Sequence, residues 1–272
     1  MSTLLTDVIL IALSILPVIL LMIFIYRQDK YQKEPIKSLV KAFIGGIIAI
    51  PLDILIVHLI ELALGETAIS ETVFFCAFLE AGFPEELSKL LIFMLLIWWD
   101  KNFDEYMDGI VYATFIGLGF ACIENILYVF GASTESFQIG VGTGITRALL
   151  SVPGHFLFGV VMGYFLSMAK FKKEKRWLNL LLALLLPTLA HGLFDWLLMI
   201  ASVLPLIGGV IYIAFLWGDI KLWKLGLKYI RQQQENSRLQ AQGDFNNDEA
   251  LISDTEYNPE YKQIDWNAGD KK

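Results

Sequence analysis

The sequence predicts an all-α polytopic membrane protein of about seven transmembrane helices, N-terminus outside and C-terminus cytoplasmic. Three observations predict it. Of 272 residues, 56% are hydrophobic and only 18% are charged, against about 25% charged in a soluble domain. The apolar residues fall in runs of roughly the 20 residues that a bilayer crossing needs. Lysines and arginines gather in alternate loops, the mark of the cytoplasmic side. So much apolar surface exceeds what one aqueous core can bury, which excludes a soluble enzyme, a disordered regulator and a nucleic-acid module. The net charge of -7 identifies no polyanionic partner, because the charges sit in a few clusters. Cys76 and Cys122 both lie inside apolar runs, so a secreted disulfide framework is not expected.

The first span runs from Val8 to Tyr26 without a charge. Its start, MSTLLTD, is not basic and no small-residue cleavage site follows, so it is expected to be retained rather than cleaved. Six more spans follow at about 42–60, 73–98, 109–131, 145–168, 178–199 and 206–225. The last two are separated only around Ser202 and Pro205, where a re-entrant hairpin is the alternative. Residues 1–231 form the expected membrane domain. From Gln232 the chain turns polar and acidic, and 232–272 is expected to be a disordered cytoplasmic tail.

Arg27, Lys30, Lys33, Lys37 and Lys41 follow span one, Lys101 follows span three, and Lys170, Lys172, Lys173, Lys175 and Arg176 follow span five. Lys221, Lys224, Lys228 and Arg231 follow the last span, and the stretch from Lys221 to Arg231 reads as an amphipathic helix on the inner membrane surface. The intervening loops, around 61–72, 132–144 and 200–205, hold none. An even number of spans would break this alternation.

Ionisable residues within spans cost at least a few kcal/mol each and are expected to face the bundle interior with partners. They concentrate in spans three to six. Span three, CAFLEAGFPEELSKLLIF, sets Glu85 and Lys89 four apart on one helical face. Glu86 is rotated about 100° away and should find a different partner. Span four, GLGFACIENILYVF, carries Glu124 and Asn125, with Gly117 and Gly119 allowing close helix approach. Span five, TRALLSVPGHFLFGVVMGYF, carries His155; span six, LLLPTLAHGLFDWLL, carries His191 and Asp195 at i, i+4. Pro84, Pro153 and Pro187 lie just upstream of three of these sites, where they loosen the backbone ladder. At about 1.5 Å per residue, Glu85, Glu124, His155 and His191 fall in one layer, roughly 10–18 Å from the outer surface.

Two carboxylates and two imidazoles in a mostly dry layer can hydrolyse a bond. Glu85 or Glu86 would serve as general base toward water, and spacing does not choose between them. Two histidines and one glutamate also make a zinc ligand set with a fourth position left for water. Asp195 could orient His191 or be a ligand itself. No HExxH motif is present, so a soluble-type zincin is excluded.

These residues resemble the PrsW-type intramembrane proteases, relatives of the superfamily that includes the CAAX-processing prenyl-proteases. The resemblance rests on PEELSK (Pro84 to Lys89, EExxK), GFACIEN (Gly119 to Asn125, FxxxEN), His155 with Gly159, and HGLFD (His191 to Asp195, HxxxD). It covers the chain from span two through span six. The prenyl-protease relatives have EExxxR and a histidine in the second motif, whereas this chain has EExxK and Glu124, so their substrate and metal details do not carry over. The resemblance implies a hydrolase of membrane-anchored substrates in a bacterial cell membrane. The best-known role of such proteins is processing an anti-sigma factor in envelope stress signalling. It implies Glu85 and Glu86 as the source of the base and Glu124, His155 and His191 as holders of zinc. In a metal-free glutamate mechanism, those three would stabilise the oxyanion instead. Lys89 and Asp195 would support them.

Blander readings stand beside these. Glu85 with Lys89 alone could be a packing ion pair, and His191 with Asp195 an interhelical hydrogen bond. His58 and Asp53 lie outside the motifs and read as structural or lining residues, Glu80 as the lining of a wet cavity, and Arg147 as a side chain snorkelling to the interface. At the level of the whole chain, the rivals are an ion-coupled transporter with a buried proton relay and a non-catalytic membrane scaffold. A transporter would be favoured by inverted repeats, and the sequence has none.

Overall fold

Apolar runs surrounded by lipid must satisfy every backbone donor and acceptor within themselves, which favours helix throughout. In the computed structural model, which describes residues 3–65, 72–204 and 207–242, every regular element among the described residues is helical. In chain order they are α1 (Thr3–Gln28), α2 (Ile36–Leu64), the single turn α3 (Val73–Phe75), a π-helical segment (Cys76–Gly82), α4 (Phe83–Leu96), α5 (Tyr106–Ser133), α6 (Phe137–Leu149), α7 (Ser151–Phe171), a 3-10 turn (Lys173–Lys175), α8 (Arg176–Val203) and α9 (Gly208–Ala241).

Five stretches are long and apolar enough to cross a membrane: Leu4–Gln28, Ile36–Leu64, Tyr106–Ser133, Phe137–Phe171 and Lys173–Val203. Two expected spans stand apart from them for physical reasons. The span at 73–98 is interrupted by the π segment, and the one at 206–225 shares its helix with Asp219, Lys221 and Lys224. Pro205 lies outside the described residues.

The centre of the bundle is α5 packed on α7. Residues 105–122 and 154–163 are buried without interruption, while Leu20, Ile54, Leu95 and Ile213 on outer helices present apolar side chains outward. Lipid is as apolar as the core, so what holds these helices is close packing rather than escape from water. Gly119 shows the tolerance involved: a Cβ there would lie 2.1 Å from the Phe43 carbonyl oxygen, so α2 and α5 meet backbone to backbone. A Cβ on Gly117 would lie 3.0 Å from the His155 carbonyl. This contact brings α7 against α5 at the height of His155.

The C-terminal helix differs from expectation in two respects. It passes Gln232, where composition places the start of the tail, and continues to Ala241. Gln233 and Ser237 are buried; Ser237 Oγ accepts from the Met107 N–H at 3.0 Å, and Gln233 Nε2 donates to the Tyr164 carbonyl at 3.2 Å. Tertiary hydrogen bonds thus order a segment too polar to order itself. Likewise, the stretch Lys221–Arg231 packs on the bundle: Trp223 stacks on Phe156 and Tyr229 on Tyr164, with ring centroids 5.8 and 4.1 Å apart. The remainder of the expected tail, 243–272, lies outside the described residues.

Candidate metal and catalytic centre

Backbone irregularities sit next to the reactive side chains. At the end of the π segment the Phe83 N–H bonds to the Phe78 carbonyl, five residues back. Pro84 follows, tolerated in the first turn of α4. Glu85 and Glu86 come next, in that same turn. Pro153 lacks a donor and clashes with the carbonyl of Leu149. The chain breaks there, at Leu150 with φ -121 and ψ -63, so the single expected span at 145–168 is divided between α6 and α7. His155 projects from the first turns of α7. Pro187 stays inside α8, one turn ahead of His191.

The four elements converge on one cluster. Lys89 Nζ lies 2.8 Å from Glu86 Oε1, 3.1 Å from Glu85 Oε2 and 3.2 Å from His155 Nδ1. His191 Nδ1 lies 3.0 Å from Glu86 Oε1, and both histidine Nδ1 atoms lie 3.9 Å from Glu85 Oε2. The far nitrogens meet carboxylates as well: His155 Nε2 is 2.8 Å from Glu124 Oε2, and His191 Nε2 is 3.3 Å from Asp195 Oδ2. Phe158 stacks on His191 with centroids 4.7 Å apart, and Lys89 Nζ sits 4.3 Å above the centre of the Phe120 ring. Glu85, Glu86, Lys89, His155 and His191 are all buried.

All seven residues singled out from the sequence are therefore neighbours. Glu86 finds the separate partner expected of it in His191, 3.0 Å away, and also shares Lys89 with Glu85, because a lysine is long enough to reach both i-3 and i-4. Arg147 does not snorkel. Its Nη2 lies 3.0 Å from Glu124 Oε2, its Nε donates to Asn125 Oδ1 at 2.8 Å, and its guanidinium lies 4.2 Å over the Tyr128 ring. Asn125 in turn donates to the Ser14 carbonyl at 2.8 Å, which ties α1 to the site. Sequence periodicity carries no sign of this chain of contacts. Phe120 and Phe158 were legible in principle, since they stand one turn from Glu124 and His155.

Of the other ionisable residues, His58 and Glu80 stand apart, whereas Asp53 lies close enough to interact electrostatically with Lys89, Glu124, His191 and Glu86. His58 is exposed and pairs only loosely with Glu61 at 3.7 Å. Glu80 is half-buried outside the cluster. Asp53 of α2 has a buried Oδ1 with no hydrogen-bond partner among the described residues.

Glu85, Glu86, His155 and His191 each offer a ligand atom, all within 4.8 Å of one another. A tetrahedral zinc with ligands at about 2.0–2.1 Å needs them about 3.3 Å apart, so the widest pair must close by about 1.5 Å, within reach of side-chain rotation. Glu86 Oε2 is buried without a hydrogen-bond partner, a lone pair left over that a cation would satisfy. The residues present thus fit a metal. Glu124 is not one of the four: its partner is the other ring nitrogen of His155, Nε2, which points away from them. The Lys89 ammonium now uses lone pairs of Glu85, Glu86 and His155 that an ion would claim, so the two compete for the same donors.

Residues 34–218 match the family model described as PrsW family intramembrane metalloprotease. The chain is 36% identical over 228 residues to Protease PrsW of Clostridioides difficile, covering 83% of this chain and 92% of that protein. Identity is 34% over 224 residues to Protease PrsW of Geobacillus kaustophilus, covering 82% and 95%. For Protease PrsW of Bacillus subtilis it is 35% over 215 residues, covering 76% and 90%. No solved structure matches.

Proposed function

Because the chain belongs to the PrsW family of intramembrane metalloproteases, we propose that it hydrolyses single-span membrane proteins with water activated inside the Glu85–Glu86–His155–His191 cluster. The reading rests on one observation above all: four buried, metal-capable side chains from α4, α7 and α8 meet within 4.8 Å.

In this proposal Glu86, His155 and His191 hold the metal, taken to be zinc. A zinc ion bound there would polarise the scissile carbonyl and acidify its water. Glu85 is the base, because its side chain keeps 11% exposure while that of Glu86 keeps 1%. It takes the proton of the attacking water and returns it to the departing amine. Glu124 moves from the ligand set expected from sequence to an orienting role. It and Asp195 hold the Nε2 atoms, leaving both Nδ1 atoms directed at the cluster. Lys89 balances the two carboxylates and is the chain's own donor toward the developing oxyanion.

The alternation of basic loops supports seven spans, with the N-terminus outside and the C-terminus in the cytoplasm of a bacterial inner membrane. The family resemblance supports an anti-sigma-factor-like protein as substrate. The test is co-expression with single-span membrane proteins tagged at both ends. Glu85→Ala, Glu86→Ala and His191→Ala should abolish fragment formation at unchanged protein levels, with His58→Ala as the active control. Normal cutting by all three variants would refute the assignment.

A further inference from the structure

A groove of about 860 Å³ lies between the start of α2 and the end of α4, and no residue of the Glu–His cluster lines it. Its lining divides in two. One end is polar, with Lys37, Ser38, Lys41, Asp100, Lys101 and Asn102; the other is apolar, with Val40, Ile44, Ile48 and Leu96. Lys37, Lys41, Ile44 and Ile48 recur at helical spacing, so they form one stripe running from charge into hydrocarbon over about 16 Å.

The charge at the polar end is not balanced. Lys41 pairs with Asp100, and Asn102 Nδ2 donates to Ser38 Oγ at 2.9 Å. Lys37 and Lys101 are exposed, and neither has an ion-pair partner among the described residues. The first turn of α2 adds to this, since its N-cap is Pro35 and no side chain caps it. Its leading N–H groups therefore favour an anion. Val40, Ile44 and Ile48 are exposed at the other end, a poor surface for water and a good one for an acyl chain.

We infer that this groove is a binding site for one anionic glycerophospholipid, its phosphate held by Lys37, Lys101 and the α2 N-terminus and an acyl chain along Val40, Ile44, Ile48 and Leu96. Basic pockets between transmembrane helices recognise such headgroups. The apolar half of the lining favours a lipid over a free phosphate or an acidic peptide, neither of which has anything to place on Ile44 and Ile48. With the N-terminus outside, the groove opens at the cytoplasmic leaflet.

The test uses the purified full-length protein, delipidated in a neutral detergent and titrated with dioleoylphosphatidylglycerol, dioleoylphosphatidylcholine or inorganic phosphate. Bound lipid is counted by native mass spectrometry and affinity is read from the shift in Tm. One phosphatidylglycerol per chain is expected, bound at least about tenfold tighter than phosphatidylcholine, with millimolar phosphate unable to displace it. Lys37→Gln and Lys101→Gln should each weaken it about fivefold, while the lipid-free Tm stays put. Ile44→Trp, which fills the apolar end without touching a charge, should weaken both lipids. Equal affinity for the two lipids would overturn the proposal, as would displacement by phosphate. So would indifference to both lysine variants, or tight binding only after removal of residues 243–272, which would make the acidic tail the occupant.

Discussion

Arg147→Ala probes the layer behind the histidines. The wild-type side chain is 12% exposed, and Glu124, its partner at 3.0 Å, is 19% exposed. Deleting one member of a buried pair costs about 3–5 kcal/mol, because the survivor is left charged without compensation. Glu124 keeps His155 Nε2 at 2.8 Å, which puts the loss near the lower end, about 3 kcal/mol including the contact with Tyr128. Activity should fall more visibly than stability. If Glu124 orients the imidazole that serves the cluster, loosening it costs about 10–100-fold in metal affinity or turnover. Arg147→Lys should restore part of this, since an ammonium can pair with Glu124 but cannot at the same time supply the second fork that reaches Asn125. The assay is thermal unfolding in detergent together with the cleavage rate of a co-reconstituted single-span substrate. The double variant Arg147→Ala/Glu124→Gln, measured beside Glu124→Gln alone, closes a thermodynamic cycle. Its stability should exceed that of Arg147→Ala alone, because the orphaned charge has gone. An Arg147→Ala protein that unfolds within about 1 kcal/mol of wild type and cuts at the wild-type rate would refute the reasoning.

Two further outcomes follow from the packing and from the acidic cluster at the start of α5. Gly119→Ala drives a methyl to 2.1 Å from the Phe43 carbonyl, so α2 and α5 must separate, and a loss of about 1–3 kcal/mol is expected in the unfolding assay; an unchanged Tm would mean that the two backbones do not touch. Burial, reinforced by the nearby charges of Asp29 and Asp104, raises Glu34 to about 7 and, with Glu34 itself adding to the repulsion, Glu105 to about 8. These carboxyls hold protons in the folded state that the unfolded chain has already released above its own value near 4.5. Their contribution to stability is therefore greatest below pH 4.5 and falls as pH rises from about 4.5 to 8, by at most about 1.4 kcal/mol per pH unit for each group. Glu34→Gln and Glu105→Gln should flatten that slope and raise Tm at pH 8, the amide oxygen introduced at position 34 still accepting from the Tyr112 hydroxyl. A Tm that climbs over the same interval would contradict this.

What was legible in the sequence followed from what hydrocarbon forbids. Charges are so costly in lipid that Glu85, Glu86, Lys89, Glu124, His155, His191 and Asp195 stood out against their apolar neighbours, and the similar depth expected for Glu85, Glu124, His155 and His191 supported a common meeting point. Contacts between helices were not legible. The partnership of Arg147 with Glu124 and Asn125 depends on how α6 packs against α5, and the break at Leu150 on how Pro153 resolves its clash. Periodicity describes one helix at a time and carries neither. The helical residues 232–241 were missed for a related reason: composition reports whether a segment can order itself, not whether Met107, Asp104 and Tyr164 offer it partners. The exchange of roles proposed for Glu86 and Glu124 turns on which imidazole nitrogen faces which carboxylate, a matter of side-chain direction beyond the reach of spacing.

Zinc K-edge X-ray absorption on the purified full-length protein tests the central claim most directly. A spectrum fitted by about two imidazole nitrogens and carboxylate oxygen at about 2.0–2.2 Å, with zinc lost in His155→Ala and His191→Ala, is the expected result. Sulfur in the first coordination sphere, or a spectrum unchanged in both variants, would contradict it. Metal-free protein that cleaves at full rate would do the same.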